Sequence, residues 1–239
     1  MKRRECCLAS VALVACALVA CALAACALAR PPFTQAAAPT AADPHVATVV
    51  FLWPSTSCDT GGYYTLATDD GKFLGNIAAG TQLAVPLAAG DHTLLGWNGS
   101  RTEGDDAASM VSVPVLHATL EEARTYYVQL AFGEWDDKGP RQMHTVRTAK
   151  RVCFRIGNVM STAMVALTPT SDFWSELPAL TSELPATSSD AVAGQSWLDA
   201  NQATFTAHRD LAKARFEALR PRAKPLATLQ ASDGVIATR

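Results

Sequence analysis

From Val46 to Pro169, turn signals recur roughly every eight to twelve residues, so the runs between them suit strands and are too short for helices. "VATVVFLW" (46–53) is almost continuously apolar, as a strand buried on both faces would be. Pro54 and "STSCDTGG" end it. "YYTLATDDGKFLGNI" sets Asp70-Gly71 between two extended runs, which predicts a hairpin. After Gly80, "TQLAVPL" puts Leu83, Val85 and Leu87 on one face, and Pro86 marks an edge strand. "AAGDHTLLGW" reads as a turn at Gly90-Asp91 and another strand. "SMVSVPVLHATL" alternates Val111, Val113 and Val115, and "TYYVQLAF" aligns Tyr126, Val128, Leu130 and Phe132. "GEWDDKGPR" reads as a loop, and "QMHTVRT", "VCFRI" and "AMVALTP" as three further strands. About nine strands in about 120 residues, with no helical period between them, predict a mainly β chain. The expected fold over 46–168 is an antiparallel β-sandwich of immunoglobulin-like size, with a C-terminal α-helical segment.

That segment is placed at 169–225. "SDFWSELPALTSEL" predicts a short helix capped by Ser171 or Asp172, with Glu176 placed for a capping box. "PATSSDAVAG" reads as a loop. One long helix is predicted from Gly194 to Leu219, with an apolar stripe of Leu198, Phe205, Ala212, Phe216 and Leu219, and Pro221 ends it. Residues 226–239 are expected to be a loose tail.

The chain begins "MKRRE", and an uncharged run from Cys6 to Ala29 precedes Arg30-Pro31-Pro32. A basic start, an apolar stretch and small residues before a break describe an export signal. Within it, Leu13-Val14-Ala15-Cys16, Leu18-Val19-Ala20-Cys21 and Leu23-Ala24-Ala25-Cys26 repeat one register. Each resembles the bacterial lipoprotein signal, in which the cysteine after two small residues is lipidated and becomes the mature terminus. Cleavage at Cys16 leaves a short apolar run, and cleavage at Cys21 leaves a greasy mature start. Cys26 is therefore favoured, with Cys21 as the alternative. The run is also long enough for an uncleaved membrane span, though five cysteines and many alanines suit one poorly. The expected organisation is a signal peptide at 1–25 and a Pro/Ala-rich, lipid-anchored flexible tether at 26–45. The sandwich, the helical segment and the tail follow.

Of 239 residues, 49% are hydrophobic and 18% charged, which fits a globular chain with its own core. A net charge of −2 argues against nucleic acid as a partner.

Few residues carry recognisable chemistry. Cys58 and Cys153 are the cysteines outside the N-terminal run, and an exported chain would be expected to pair them. Closing that loop of about 95 residues would stabilise by roughly 4–5 kcal/mol. The five histidines form no zinc-binding spacing, so neither metal nor cofactor is expected. Leu198 stands where the serine-hydrolase elbow around Ser196 needs glycine. Asp69-Asp70, Asp105-Asp106 and Asp136-Asp137 read as solvated turn residues. Trp135, Tyr63, Tyr64 and Trp97 lie near predicted strand ends, where they would stack on cell-wall sugars or a protein partner; for Trp53 and Trp97 the core is the competing place. Arg209, Lys213, Arg215, Arg220, Arg222 and Lys224 form a basic strip, either ordinary helix surface or a contact for anionic headgroups.

Asp70, Gly71, Gly75, Gly80, Thr81, Gly90, His92, Tyr126 and Tyr127 together resemble the motif of a bacterial lipoprotein domain family known only as a domain of unknown function. The likeness spans about Val46 to Phe132. Ala89 replaces that pattern's proline, and Ala123-Arg124 stands where it prefers glycine. A shorter stretch resembles the β-rich PEGA surface domain. The resemblance implies an envelope-facing sandwich and no activity. The expectation is a non-catalytic binding or structural module, exported and lipid-anchored to a bacterial membrane, at the outer membrane or periplasmic face. Its partners would be the membrane and a cell-wall polymer or envelope protein. The competing class is an envelope enzyme with a site assembled from distant residues such as His92, Asp91 and Asp136; a third reading is export or membrane anchoring without lipidation.

Overall fold

The structure, a computed structural model, describes residues 31–37, 44–55, 62–99, 113–136, 139–143, 160–171 and 174–236. Its centre is β2 (Ala47–Trp53), a strand with apolar neighbours on both faces. β2 lies inside a mixed sheet ordered β1 (Thr34–Ala36), β11 (Ala186–Ser189), β5 (Thr81–Leu87), β2, β8 (Arg124–Asp136), β10 (Met160–Leu167). β9 (Gly139–Met143) and β13 (Val235–Ile236) also pair with the long β8. A second sheet is ordered β12 (Thr228–Leu229), β7 (Val115–Leu120), β6 (Gly90–Asn98), β3 (Tyr63–Thr68), β4 (Phe73–Ala78).

Alternate residues of the two sheets meet in one core. Val49, Phe51, Leu83, Leu87, Val128 and Leu130 of the first face Leu66, Ile77, Leu94, Leu116 and Leu120 of the second. This is the expected mainly β sandwich. It differs in not being purely antiparallel: β2 runs parallel to β8, β11 to β5 and β12 to β7. Parallel neighbours need a crossover. Between β2 and β8 the chain visits the second sheet twice, through β3–β4 and β6–β7, so the opposite layer replaces the helix of a βαβ unit.

Both outer faces are covered as well. α2 (Ala191–Ala200) and α3 (Gln202–Ala218) lay Leu198, Phe205, Ala212 and Phe216 on Phe73, Leu95, Trp97 and Val115 of the second sheet. α1 (Leu177–Glu183) lays Leu177 and Leu180 on Val50, Leu52 and Leu167 of the first. The predicted stripe is therefore buried. The single helix is broken, however, at Asn201, whose side-chain amide donates to the Trp197 carbonyl and competes for a helical acceptor. α2 starts three residues earlier than expected, on Asp190, whose carboxylate accepts from the Ala193 amide at 2.9 Å.

Other boundaries move for physical reasons. The expected capping box before α1 is absent; Pro178 occupies the first turn, where its missing N–H costs nothing, and no side chain caps the Glu176 position. The presumed loop after Pro185 holds β11, and "GEWDDKGPR" is the meeting of β8 and β9 rather than a loop. Pro86 keeps its edge character: the Gln82 amide points to β11, Pro86 points the same way by alternation, and β11 pairs only opposite Gln82 and Leu83.

Of the tail expected at 226–239, the described residues 226–236 are not loose. They contain β12 and β13, and Leu229 is fully buried in the main core. The expected flexible tether is docked in part: β1 pairs with β11, and Phe33 packs edge-on against Phe73. Residues 38–43 and 237–239 lie outside the described residues. So do the strand predicted at "VCFRI" and the signal peptide expected at 1–25.

Candidate functional site

The residues of the resemblance motif fall on turns and strands. Gly71 takes φ +90° in the β3–β4 turn, where its amide donates to the Thr68 carbonyl and the Thr68 hydroxyl donates to Asp70. Gly75 takes φ +147°, and a Cβ there would sit 2.6 Å from both Leu83 and Ser189. Thr81 donates to the Ala78 carbonyl beside Gly80, and His92 donates through Nε2 to the Ala88 carbonyl at 2.9 Å. Tyr126 is fully buried: its hydroxyl accepts from the Glu121 amide at 2.8 Å and donates to the Ala231 carbonyl at 3.1 Å. Burial pushes its phenol pKa up. That hydroxyl locks the β7–β8 turn to the C-terminal segment, in the manner of a tyrosine corner. Tyr127 points to the opposite face and meets Trp174. At the position where the motif prefers glycine, Ala123 has φ +57°.

The aromatic candidates separate. Tyr64 and Trp97 are buried at 6% and 4% exposure, which corrects the expectation that they form a binding surface. Tyr64 packs edge-on against Trp53 inside the sandwich, whereas Trp97 stacks on His208 of α3 beneath the helices. Proximity to a strand end suggested exposure, but Tyr64 faces the opposite sheet and the helices cover Trp97. Tyr63 is half-buried against Gly99, and its phenol is pushed up by desolvation. Trp135 lies in β8 at a register shift; its side chain is outside the description, as are Cys21, Cys26, Cys58 and Cys153.

Of the dispersed polar residues, Asp91 and His92 are each engaged separately. Asp91 accepts from the Thr119 hydroxyl at 2.7 Å, while His92, the next residue on the strand, is held by its own turn. The side chain of Asp136 is not among those described. Among the described residues no group of three or more His, Cys, Asp or Glu side chains is placed to hold a metal. The basic strip is largely committed within the fold. Lys213 pairs with Asp69 at 3.3 Å, Arg209 with Asp210 at 3.1 Å and Lys224 with Glu217 at 3.7 Å. Arg215 is buried, donates to the Val113 carbonyl, and has its pKa pulled down by burial to about 10, so it stays charged at neutral pH.

A concave site does emerge among the described residues. A groove of about 430 Å³ runs between the end of β10 and the C-terminal segment. Thr168 and Thr170 form one wall, and Lys224, Thr228, Gln230 and Asp233 the other. Hydroxyls, an amide, one ammonium and one carboxylate make a donor and acceptor set for a small polar ligand. No histidine or cysteine lines it. Asp233 already accepts from the Gln230 amide at 2.7 Å, and the Thr228 hydroxyl donates to the Lys224 carbonyl. The sequence hid this groove because polar residues after Pro221 carry no periodic signal. Among the described residues no helix is long and apolar enough to cross a membrane. The sequence matches no protein-family model, and no curated protein or solved structure matches it.

Proposed function

We propose that this chain is an exported bacterial lipoprotein whose sandwich serves the cell envelope as a non-catalytic binding or structural module. The observation that carries the reading is the N-terminal register, in which a cysteine follows two small residues three times within an apolar run behind a basic start. Cys26 is the acylated residue, with Cys21 the alternative. Several acyl chains on one terminus hold a soluble domain at a membrane far more firmly than a single chain does. Two features favour binding or scaffolding over catalysis. The residues of the resemblance motif sit in turns and in the Tyr126 lock. The groove offers hydrogen-bonding groups without a nucleophile–histidine pair. A small polar ligand, such as a fragment of cell-wall polymer, suits that groove.

Intact-mass analysis of membrane-extracted protein tests the reading. The expected species starts at Cys26 and carries a diacylglyceryl group. A full-length chain with Met1 in place would refute lipidation. Binding of soluble cell-wall fragments, followed by calorimetry for wild type and Lys224→Ala, tests the groove; equal affinity for the two would remove it from the proposal.

A further inference from the structure

The segment read as tether is built into the domain by four separate devices. Pro31 to Thr34 form a tight turn in which the Thr34 amide donates to the Pro31 carbonyl at 3.3 Å. Phe33 sits at φ +61°, a conformation costly for a bulky residue and common only for glycine in such a turn. Strain of this kind persists only where the surroundings over-determine it. Here the Phe33 ring packs against Phe73 and Trp197, with ring centroids 6.1 and 6.4 Å away. The Phe33 carbonyl accepts from the Asp190 amide at 2.7 Å, and the Pro32 carbonyl accepts from the side-chain amide of Asn76, a residue only 1% exposed. β1 then adds to the sheet, with Thr34, Gln35 and Ala36 opposite Ser189, Ser188 and Thr187.

We infer that Pro31–Ala37 is a strap that fixes how close the sandwich sits to the bilayer surface; this rests on acylation at Cys26. A free tether over 26–45 would have a root-mean-square reach of about 25 Å and a contour of about 70 Å. With the strap docked, only Ala27 to Arg30 separate Cys26 from Pro31. Whatever conformation they adopt, chain geometry keeps Pro31 within about 18 Å of the anchored residue. The strap thus trades the search volume of a long tether for a defined height, as suits a module acting at the membrane surface.

Two measurements on the full, membrane-extracted chain test this. Hydrogen exchange reads strap docking without reference to the lipid: amides of 34–37 should exchange roughly tenfold or more slowly than in Phe33→Ala. Neutron reflectometry on a supported phosphatidylcholine–phosphatidylglycerol bilayer reads height: the solvent gap should stay under about 20 Å in wild type and widen in Phe33→Ala. A four-residue Gly/Ser insertion between Arg30 and Pro31 should widen the gap while leaving exchange of 34–37 unchanged, which guards against general unfolding in Phe33→Ala. Free-chain exchange of the strap in wild type, or equal gaps in wild type and Phe33→Ala, would overturn the inference. A chain without an acyl group would overturn the lipid reading and the height assignment together, and the exchange data would still decide whether the strap docks.

Discussion

Gly194 offers a sharp test of how the helices are seated, because two physical effects of opposite sign meet there. It lies inside α2, where replacing glycine by alanine favours the helix by about 0.5–1 kcal/mol. A Cβ at that position would, however, stand 2.1, 2.3 and 2.6 Å from three ring atoms of Phe73. Those atoms belong to a ring that is 4% exposed, between Phe33 and the helices, so it has little room to turn. Overpacking of this kind costs about 1–3 kcal/mol, occasionally more. The packing term should win. Gly194→Ala is expected to destabilise by about 1–2 kcal/mol, a fall in melting temperature of roughly 2–8 °C for a domain of this size. The consequence should spread to Gln195, whose side chain accepts from the Phe73 amide at 2.8 Å and donates to the Gly71 carbonyl at 2.9 Å, capping the β4 edge. Urea denaturation followed by circular dichroism measures the loss. The double variant with Phe73→Leu should recover part of it, as a positive coupling in a double-mutant cycle. A stabilised Gly194→Ala, or strictly additive effects, would refute this seating of α2 on β4.

Ala123→Gly is expected to raise stability by about 0.5–1 kcal/mol, since it relieves a left-handed backbone at the cost of unfolded-state entropy and an exposed methyl group; shifted urea midpoints check it. Tyr126→Phe should cost about 1–3 kcal/mol by leaving the Glu121 amide and Ala231 carbonyl without their partner, and should speed exchange in the 228–236 segment. His117 stacks face-on against Phe216 with centroids 3.6 Å apart, and burial lowers its pKa despite Asp69 and Glu217 nearby. The folded state therefore prefers the neutral ring. Its contribution is full above the unfolded value of about 6.5 and is lost as pH falls through that value toward the lower folded one. The urea midpoint should drop between pH 7.5 and 5, and His117→Gln should flatten that dependence; an unchanged slope would sink the assignment.

Local pattern sufficed wherever burial leaves a period in the chain. The strands from β2 to β8 and β10, the Asp70-Gly71 hairpin and the stripe on α3 were legible because alternation and helical spacing record which side chains face apolar matter. The Leu-x-Ala-Cys register, from which lipidation is proposed, is likewise local, since a signal of that kind would be read along the chain. Tertiary structure decided the rest. That Tyr64 and Trp97 are core, not surface, depends on the second sheet layer over the one and the helices over the other, and neither residue encodes that. β1, β11, β12 and β13 are two to four residues long, too short to carry a period, and exist only because a neighbouring edge supplies their hydrogen bonds. The parallel pairing of β2 with β8 joins residues about 75 positions apart, a distance over which no local preference acts. The docking of Phe33 runs against its own backbone preference, and only Phe73, Trp197 and Asn76, brought together by the fold, make that conformation the stable one.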